Sequence, residues 1–186
     1  MVSQSVAKLL NIVSWNCNGI IRNDTPVLIA EVMIKHDIDS FLVSETHIRS
    51  GAVEDLSALE QFEMYPKVRG GADMRGGGLL NLMKKGINHM PHVPATIMFP
   101  YLDNEFDWIL LLKNGKNVAV CSIYMAAEVG DAEFIAWNAD LLRMIQFELV
   151  TLREQGYSCV LMGVFNEHIG CDAQGVGGNL PDINHN

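Results

Sequence analysis

Apolar residues gather along this chain in short runs separated by polar, glycine-containing turns, and one longer stretch repeats at helical spacing. Ile12, Val13 and Trp15, bracketed by Asn11 and Asn16, predict a first strand over 11–17. Thr25 before Pro26 predicts a helix start, a capping hydroxyl ahead of a proline in the first turn, and the helix runs to about Lys35. Asp37-Ile38-Asp39 then turns the chain into a second strand, Ser40 to Glu45. That strand–helix–strand order predicts a right-handed parallel crossover.

Phe62 to Arg69 and Gly78 to Met83 read as further strands around a turn holding Gly70-Gly71 and Gly76-Gly77-Gly78. No Lys-Ser/Thr follows the three glycines, so they predict a turn or bulge and not a phosphate loop. His89-Met90-Pro91-His92 reads as a loop, because Pro91 spoils a helical metal-binding face. Asp107 to Leu112 and Val118 to Ile123 flank Lys113-Asn114-Gly115-Lys116, and Asn-Gly between apolar runs predicts a hairpin. Phe134, Trp137, Leu141, Ile145, Leu149 and Leu152 recur at spacings of three and four, predicting a helix over 131–155. The strand Tyr157 to Val164 follows it. After Asn166 the periodicity stops, and 1–9 and 171–186 are expected to be flexible. The sum is a mixed α/β layer structure without repeats or linkers.

Length and composition narrow the class. At 186 residues the chain makes one domain, residues 1–186, able to bury a single substantial core. Its 49% apolar and 19% charged residues suit a folded chain and not a disordered one. Runs such as Trp108 to Leu112 fall far short of a membrane span. Met1-Val2-Ser3-Gln4-Ser5 lacks a basic region leading into an apolar core, so an intracellular protein, nuclear or cytoplasmic, is expected and a secreted one is not. Cys17, Cys121, Cys159 and Cys171 show no Cys-x-x-Cys spacing and read as structural thiols in a reducing compartment. The net charge of −9 argues against strong nonspecific DNA binding. Lys67, Arg69, Arg75, Lys84 and Lys85 lie close in sequence, as a basic rim or, with better odds, a plain solvated surface. Nothing in the sequence sets an oligomeric state.

Candidate chemistry sits where strands end. Asn16, Glu45 and Asn166 each close an apolar strand, and in layered α/β folds ligands bind where such ends converge. A carboxylate with neighbouring amides suits a hard cation such as Mg²⁺, which prefers oxygen ligands and keeps several waters. Spacing alone favours the plainer reading, three polar residues marking strand termini as they enter loops.

The motifs add to this. Ser14-Trp15-Asn16-Cys17-Asn18-Gly19, Val43-Ser44-Glu45-Thr46-His47 and Gly163-Val164-Phe165-Asn166 together resemble the signature of the endonuclease/exonuclease/phosphatase superfamily, from about residue 11 onward. The resemblance implies a two-sheet α/β sandwich of the deoxyribonuclease type, four layers deep, and phosphodiester hydrolysis dependent on Mg²⁺ or Mn²⁺. It makes Glu45 the principal protein ligand to the metal and gives Asn18 a metal-shell position. Asn16 would orient a catalytic residue and the region of the scissile phosphate, Asn166 would contact the phosphate and position the attacking water, and Tyr124 would contact the phosphate. His47 and His168 either line the cleft mouth or are structural; Trp15 and Trp108 read as core aromatics. Glu45-Thr46-His47 and Phe165-Asn166-Glu167-His168-Ile169-Gly170 look most like the endonuclease domains associated with reverse transcriptase in non-LTR retrotransposons, whose substrate is DNA. Phospholipid or inositol phosphatases match less well.

Three departures accompany the resemblance. The family motif is Gly-Asp-Phe-Asn, and Val164 stands where it has Asp. The family's closing Ser-Asp-His segment has no match; His185 follows Asn184, so the fold is expected to lack its final strands. After Tyr124 the family carries Pro and Asn where this chain has Met125-Ala126-Ala127. The expectation is an impaired phosphodiesterase, or a non-catalytic pseudo-nuclease or retroelement remnant that acts as a binding protein.

Overall fold

The computed structural model describes residues 10–22, 24–48, 52–68, 77–94, 106–125 and 132–165. In chain order the elements are β1 (Ile12–Asn16), α1 (Thr25–Lys35), β2 (Ser40–Ser44), a 3-10 segment (Ala52–Leu59), β3 (Phe62–Lys67), β4 (Leu79–Lys84), β5 (Asn88–His92), β6 (Phe106–Lys113), β7 (Lys116–Tyr124), α2 (Ala132–Glu154) and β8 (Ser158–Val164). They form two four-stranded sheets, ordered β1-β2-β4-β3 and β5-β6-β7-β8. β1 and β2 are parallel across α1, and β7 and β8 are parallel across α2; the remaining pairs are antiparallel.

Strand alternation builds the layers. Phe41 and Val43 of β2 turn outward and join Ile29, Ala30 and Met33 of α1 in one core. Trp108, Cys121 and Ile123 turn outward on the other sheet and meet Leu141, Met144, Ile145 and Leu152 of α2. The inward residues Leu42, Met83, Ile109, Leu111 and Val120, with Ile12 and Met162 packed against them, fill the space between the sheets. The result is the expected two-sheet α/β sandwich of four layers, helix, sheet, sheet, helix. Each fully buried Leu or Ile contributes roughly 1.5–3 kcal/mol.

Two polar links between the sheets fix the direction of the strands. Lys113, beside the start of β7, pairs with Asp39 at the start of β2. Farther along, Asn81 Nδ2 donates to Asp107 Oδ2 at 2.5 Å; Asn81 lies opposite Leu42 and Asp107 opposite Ser122. β2 and β7 therefore start at the same end of the sandwich and finish together at the other, which brings Glu45 and Tyr124 to one end.

Two expectations need correction. Asp24, not Thr25, occupies the cap position of α1, without a side-chain cap; the Thr25 hydroxyl instead donates to the Arg22 carbonyl at 2.5 Å. His89-Met90-Pro91-His92 is not a loop but most of β5, where an edge position tolerates a proline that cannot donate to a ladder. Among the described residues Lys67, Lys84 and Lys85 do not gather into one rim, the less favoured of the two readings. Lys84 pairs with Asp37 and Lys85 donates to the Glu60 carbonyl, far from Lys67, which lies across β4 from the end of β2. Arg69 and Arg75 lie outside the described residues.

Candidate functional site

Two loops leave the ends of β1 and β2 side by side and are laced together through their backbones. Cys17 N–H donates to the Ser44 carbonyl at 3.1 Å, Gly19 N–H to Glu45 at 2.7 Å and Ile20 N–H to Thr46 at 2.9 Å. From the other side, the carbonyls of Gly78 and Gly77 accept from Thr46 N–H at 3.2 Å and His47 N–H at 3.1 Å. Glu45 and His47 are held in the left-handed region, with φ of 53° and 54°, and Asn18 beside them has φ 46°. Asn adopts this region readily, whereas for Glu it costs about 1–3 kcal/mol and persists only where surroundings over-determine it. The lacing supplies that constraint. Gly78 is part of it, since a Cβ there would stand 2.7 Å from Thr46 Oγ1.

The side chains follow from this frame. Asn16 Nδ2 donates to Glu45 Oε1 at 3.1 Å, while Asn16 Oδ1 accepts from Asn18 N–H at 3.2 Å. A backbone N–H can only donate and a carboxylate here accepts, so the amide orientation is fixed by its two partners. Asn16 thus holds the half-buried Glu45 carboxylate in place. Beneath them, burial first and the Glu45 charge last push the Cys17 thiol up from its ordinary 9.0, against two opposing backbone hydrogen bonds. His47 Nε2 is buried and has no hydrogen-bond partner among the described residues.

Between the sheets, this same end is polar. Ser44, Asn81, Asp107, Ser122 and Tyr124 are all buried, and β-alternation from Leu42, Met83, Ile109 and Val120 carries them to the inner face. Asn81 Oδ1 and the hydroxyls of Ser44 and Ser122 have no hydrogen-bond partner among the described residues. Val164 is the apolar member of this end: it lies in register with Tyr124, two residues on from Met162 of the inter-sheet core. Gly163 before it has φ 143°, and a Cβ there would fall 1.9 Å from the Ile123 carbonyl oxygen. The strand end that carries Val164 is therefore set by a contact only glycine permits.

Of the residues singled out in the sequence, Asn16, Asn18, Glu45 and His47 come together in the laced loops, and Tyr124 lies at the same end of the sandwich. Asn166 and His168 lie outside the described residues. Sequence reasoning read Gly77 and Gly78 only as a turn or bulge, and did not single out Asn81 or Asp107. A polar Asn inside Leu79-Leu80-Asn81-Leu82-Met83 is the one signal that marked the buried pair. Among the described residues no three His, Cys, Asp or Glu side chains cluster as a ready metal cage. One oriented carboxylate among amides instead fits a hard cation that keeps most of its water.

No protein-family model and no curated protein matches the sequence. Solved structures do match in three dimensions. TDP2 from Caenorhabditis elegans superposes over 84% of this chain and 48% of its own length, at a TM-score of 0.58 and 14% identity. A mannosyl-6-phosphatase from Bacteroides thetaiotaomicron matches over 85% of this chain and 66% of its own, at a TM-score of 0.58 and 16% identity. An AP endonuclease from Leishmania major matches over 73% of this chain and 47% of its own, at a TM-score of 0.54 and 14% identity. The fold is the endonuclease/exonuclease/phosphatase, or deoxyribonuclease I-like, fold. Identity this low establishes the fold alone. The chain spans about half the length of the C. elegans structures, 48% in each of two. None of the described helices is long and apolar enough to cross a membrane.

Proposed function

We propose that this chain is a divalent-cation-binding scaffold of the DNA-phosphodiesterase type whose hydrolytic step is impaired. The observation that carries the reading is the Glu45 carboxylate, held by Asn16 in a strained backbone conformation at the end where the parallel strands finish. Strain of this kind gathers at functional sites. Glu45 would hold Mg²⁺ or Mn²⁺, with Asn18 in the surrounding shell. A bound ion supplies Lewis-acid stabilisation to the charge that develops on a phosphoryl group and its leaving oxygen. Asn16 fixes the carboxylate through its amide, and Tyr124 and Asn166 are assigned to the phosphate. His47 and His168 are assigned to the mouth of the cleft.

Val164 is the reason for impairment. Its side chain neither accepts a proton nor binds water, and a positioned acid or base contributes about 10²–10⁴-fold. The substrate class is DNA, bound weakly because the chain carries a net charge of −9. The AP endonuclease and TDP2 likenesses support a nuclease-type fold, and descent from a retrotransposon endonuclease rests on the sequence motifs alone. The second reading, a non-catalytic binding protein, is favoured by Val164 itself.

Calorimetric titration of Mn²⁺ into the wild type and Glu45→Gln tests the cation site. Binding weakened about tenfold or more in the variant supports it; equal binding in both overturns it. Asn16→Ala should give a smaller loss, since it frees the carboxylate without removing it.

A further inference from the structure

A further polar link joins the sheets on the side where β3 lies over β5. Glu63 and Tyr65 stand two residues apart on β3 and so share a face, and Tyr65 packs against the inter-sheet core. His89 of β5 lies in register with Leu111, a member of that core, and faces them from the other sheet. The Tyr65 hydroxyl stands 2.9 Å from His89 Nε2 and 3.2 Å from Glu63 Oε2, and Nε2 and Oε2 are 3.4 Å apart. Glu63 lies at the level of Ser40, across β4 from the start of β2, so the trio sits away from Glu45.

The trio is short of hydrogens. His89 Nδ1 lies 2.7 Å from the Ile87 carbonyl, which can only accept, so Nδ1 carries the ring hydrogen and Nε2 of the neutral ring offers a lone pair. The Glu63 carboxylate also only accepts. Tyr65 has a single hydroxyl hydrogen, enough for either neighbour and not for both. A cation supplies what is missing. An imidazole nitrogen with two oxygens is a donor set for zinc, whose ligands sit about 2.0–2.2 Å from the ion and so about 3.3–3.6 Å from one another around a tetrahedron. Spacings of 2.9, 3.2 and 3.4 Å need little opening to reach that. The tie from Nδ1 to a backbone carbonyl is also how ligating imidazoles are oriented.

We propose that Glu63, Tyr65 and His89 form a Zn²⁺ site that clasps the two sheets along this side, with water as the fourth ligand. The His89 side chain is 3% exposed, while that of Glu63 is 42% exposed and leaves the ion a way in from solvent. A ring nitrogen disfavours Mg²⁺, which takes oxygen ligands, so this site and Glu45 select different ions. Burial first, then the Glu63 charge and hydrogen bond, push the Tyr65 phenol up from its ordinary 10.0, so it keeps its proton while no ion is bound. A bound dication reverses that balance: the phenol O–H bond breaks, an O–Zn bond forms and the proton passes to solvent.

Calorimetric titration of Zn²⁺ into the full chain, in two buffers of different ionisation heat, tests this beside Glu63→Gln, Tyr65→Phe, His89→Phe and Glu45→Gln. The expected result is Zn²⁺ binding that releases about one proton in the wild type and none in Tyr65→Phe. Affinity should fall about tenfold or more in Glu63→Gln and His89→Phe and stay unchanged in Glu45→Gln. Bound Zn²⁺ should also raise the urea midpoint of the wild type and not that of Glu63→Gln, whose exposed side chain makes it the variant least able to disturb folding. A wild type that binds no Zn²⁺, binds it no better than Glu63→Gln, binds it without releasing a proton, or loses it in Glu45→Gln overturns the proposal.

Discussion

The space between the two sheets is mainly apolar towards one end and mainly polar towards the other, along the same strands. Towards the start of β2, Ile12, Leu42, Met83, Ile109, Leu111 and Met162 pack together, with buried Ser40 opposite Ile12 and Met83 and the Lys113–Asp39 pair beside them. At the other, Ser44, Asn81, Asp107, Ser122 and Tyr124 are equally buried and run towards Asn16 and Glu45. Burying polar groups whose partners are incomplete lowers stability. Among the described residues Ser44, Asn81 and Ser122 leave such groups at the polar end and Ser40 leaves one at the other, so the layer weights this cost towards the end that presents chemistry. Val164 breaks the pattern, an apolar residue at the polar end, and the proposed impairment lies there.

Substitutions can break that comparison at several strengths. The largest effect belongs to Gly163→Ala, which forces a methyl to 1.9 Å from the Ile123 carbonyl oxygen at a positive φ. Its expected cost is about 3–5 kcal/mol in denaturant unfolding, from overpacking and backbone strain together. Leu42→Ala, in the inter-sheet core opposite Asn81, should cost about 2–5 kcal/mol and leave Mn²⁺ affinity unchanged. At the polar end Asn81→Leu removes a donor from the buried Asp107 carboxylate, and about 1–3 kcal/mol is expected. If Asn81→Leu costs as much as Leu42→Ala, the polar link holds the sheets together as strongly as the apolar packing beside it.

Alkaline pH probes the two outer cores instead, without a variant. Burial first, and the Asp107 charge after it, push the Cys121 thiol well above its ordinary 9.0; burial raises Cys17 as well. A thiol raised in the folded state releases its proton first when unfolded, so stability is full below pH 9 and falls as pH rises above it. Midpoints of urea unfolding from pH 7 to 10.5 should show this fall, and Cys121→Ala should flatten most of it. The smallest stability effect is expected for Glu45→Gln, under about 1 kcal/mol, because the half-buried carboxylate serves the site and not the core.

How much of this was legible in the sequence depends on the range over which each feature is encoded. Most strands and the second helix follow from local periodicity, the first helix follows from Thr25-Pro26, and Asn16 and Glu45 stand out as polar residues closing apolar runs. β5 was hidden because Pro91 and two histidines make it read as a loop, and only its edge position permits them. The Asn81–Asp107 link joins residues 26 apart on different sheets, which no local pattern announces. The demand for glycine at 163 comes from the close approach of the Ile123 carbonyl across a parallel pair. Left-handed backbone at Glu45 is likewise set by the carbonyls and amides of Gly19 and Gly78, not by Glu45 itself.

The central claim is that the polar end keeps its cation ligand and lacks the group that activates water. Nicking of supercoiled plasmid and of an abasic-site duplex in Mg²⁺ and Mn²⁺, for wild type beside Glu45→Ala, tests it most directly. The account predicts that folded wild type cleaves no faster than Glu45→Ala. Metal-dependent cleavage that disappears in Glu45→Ala would contradict it, and would mean that another residue performs the task Val164 cannot.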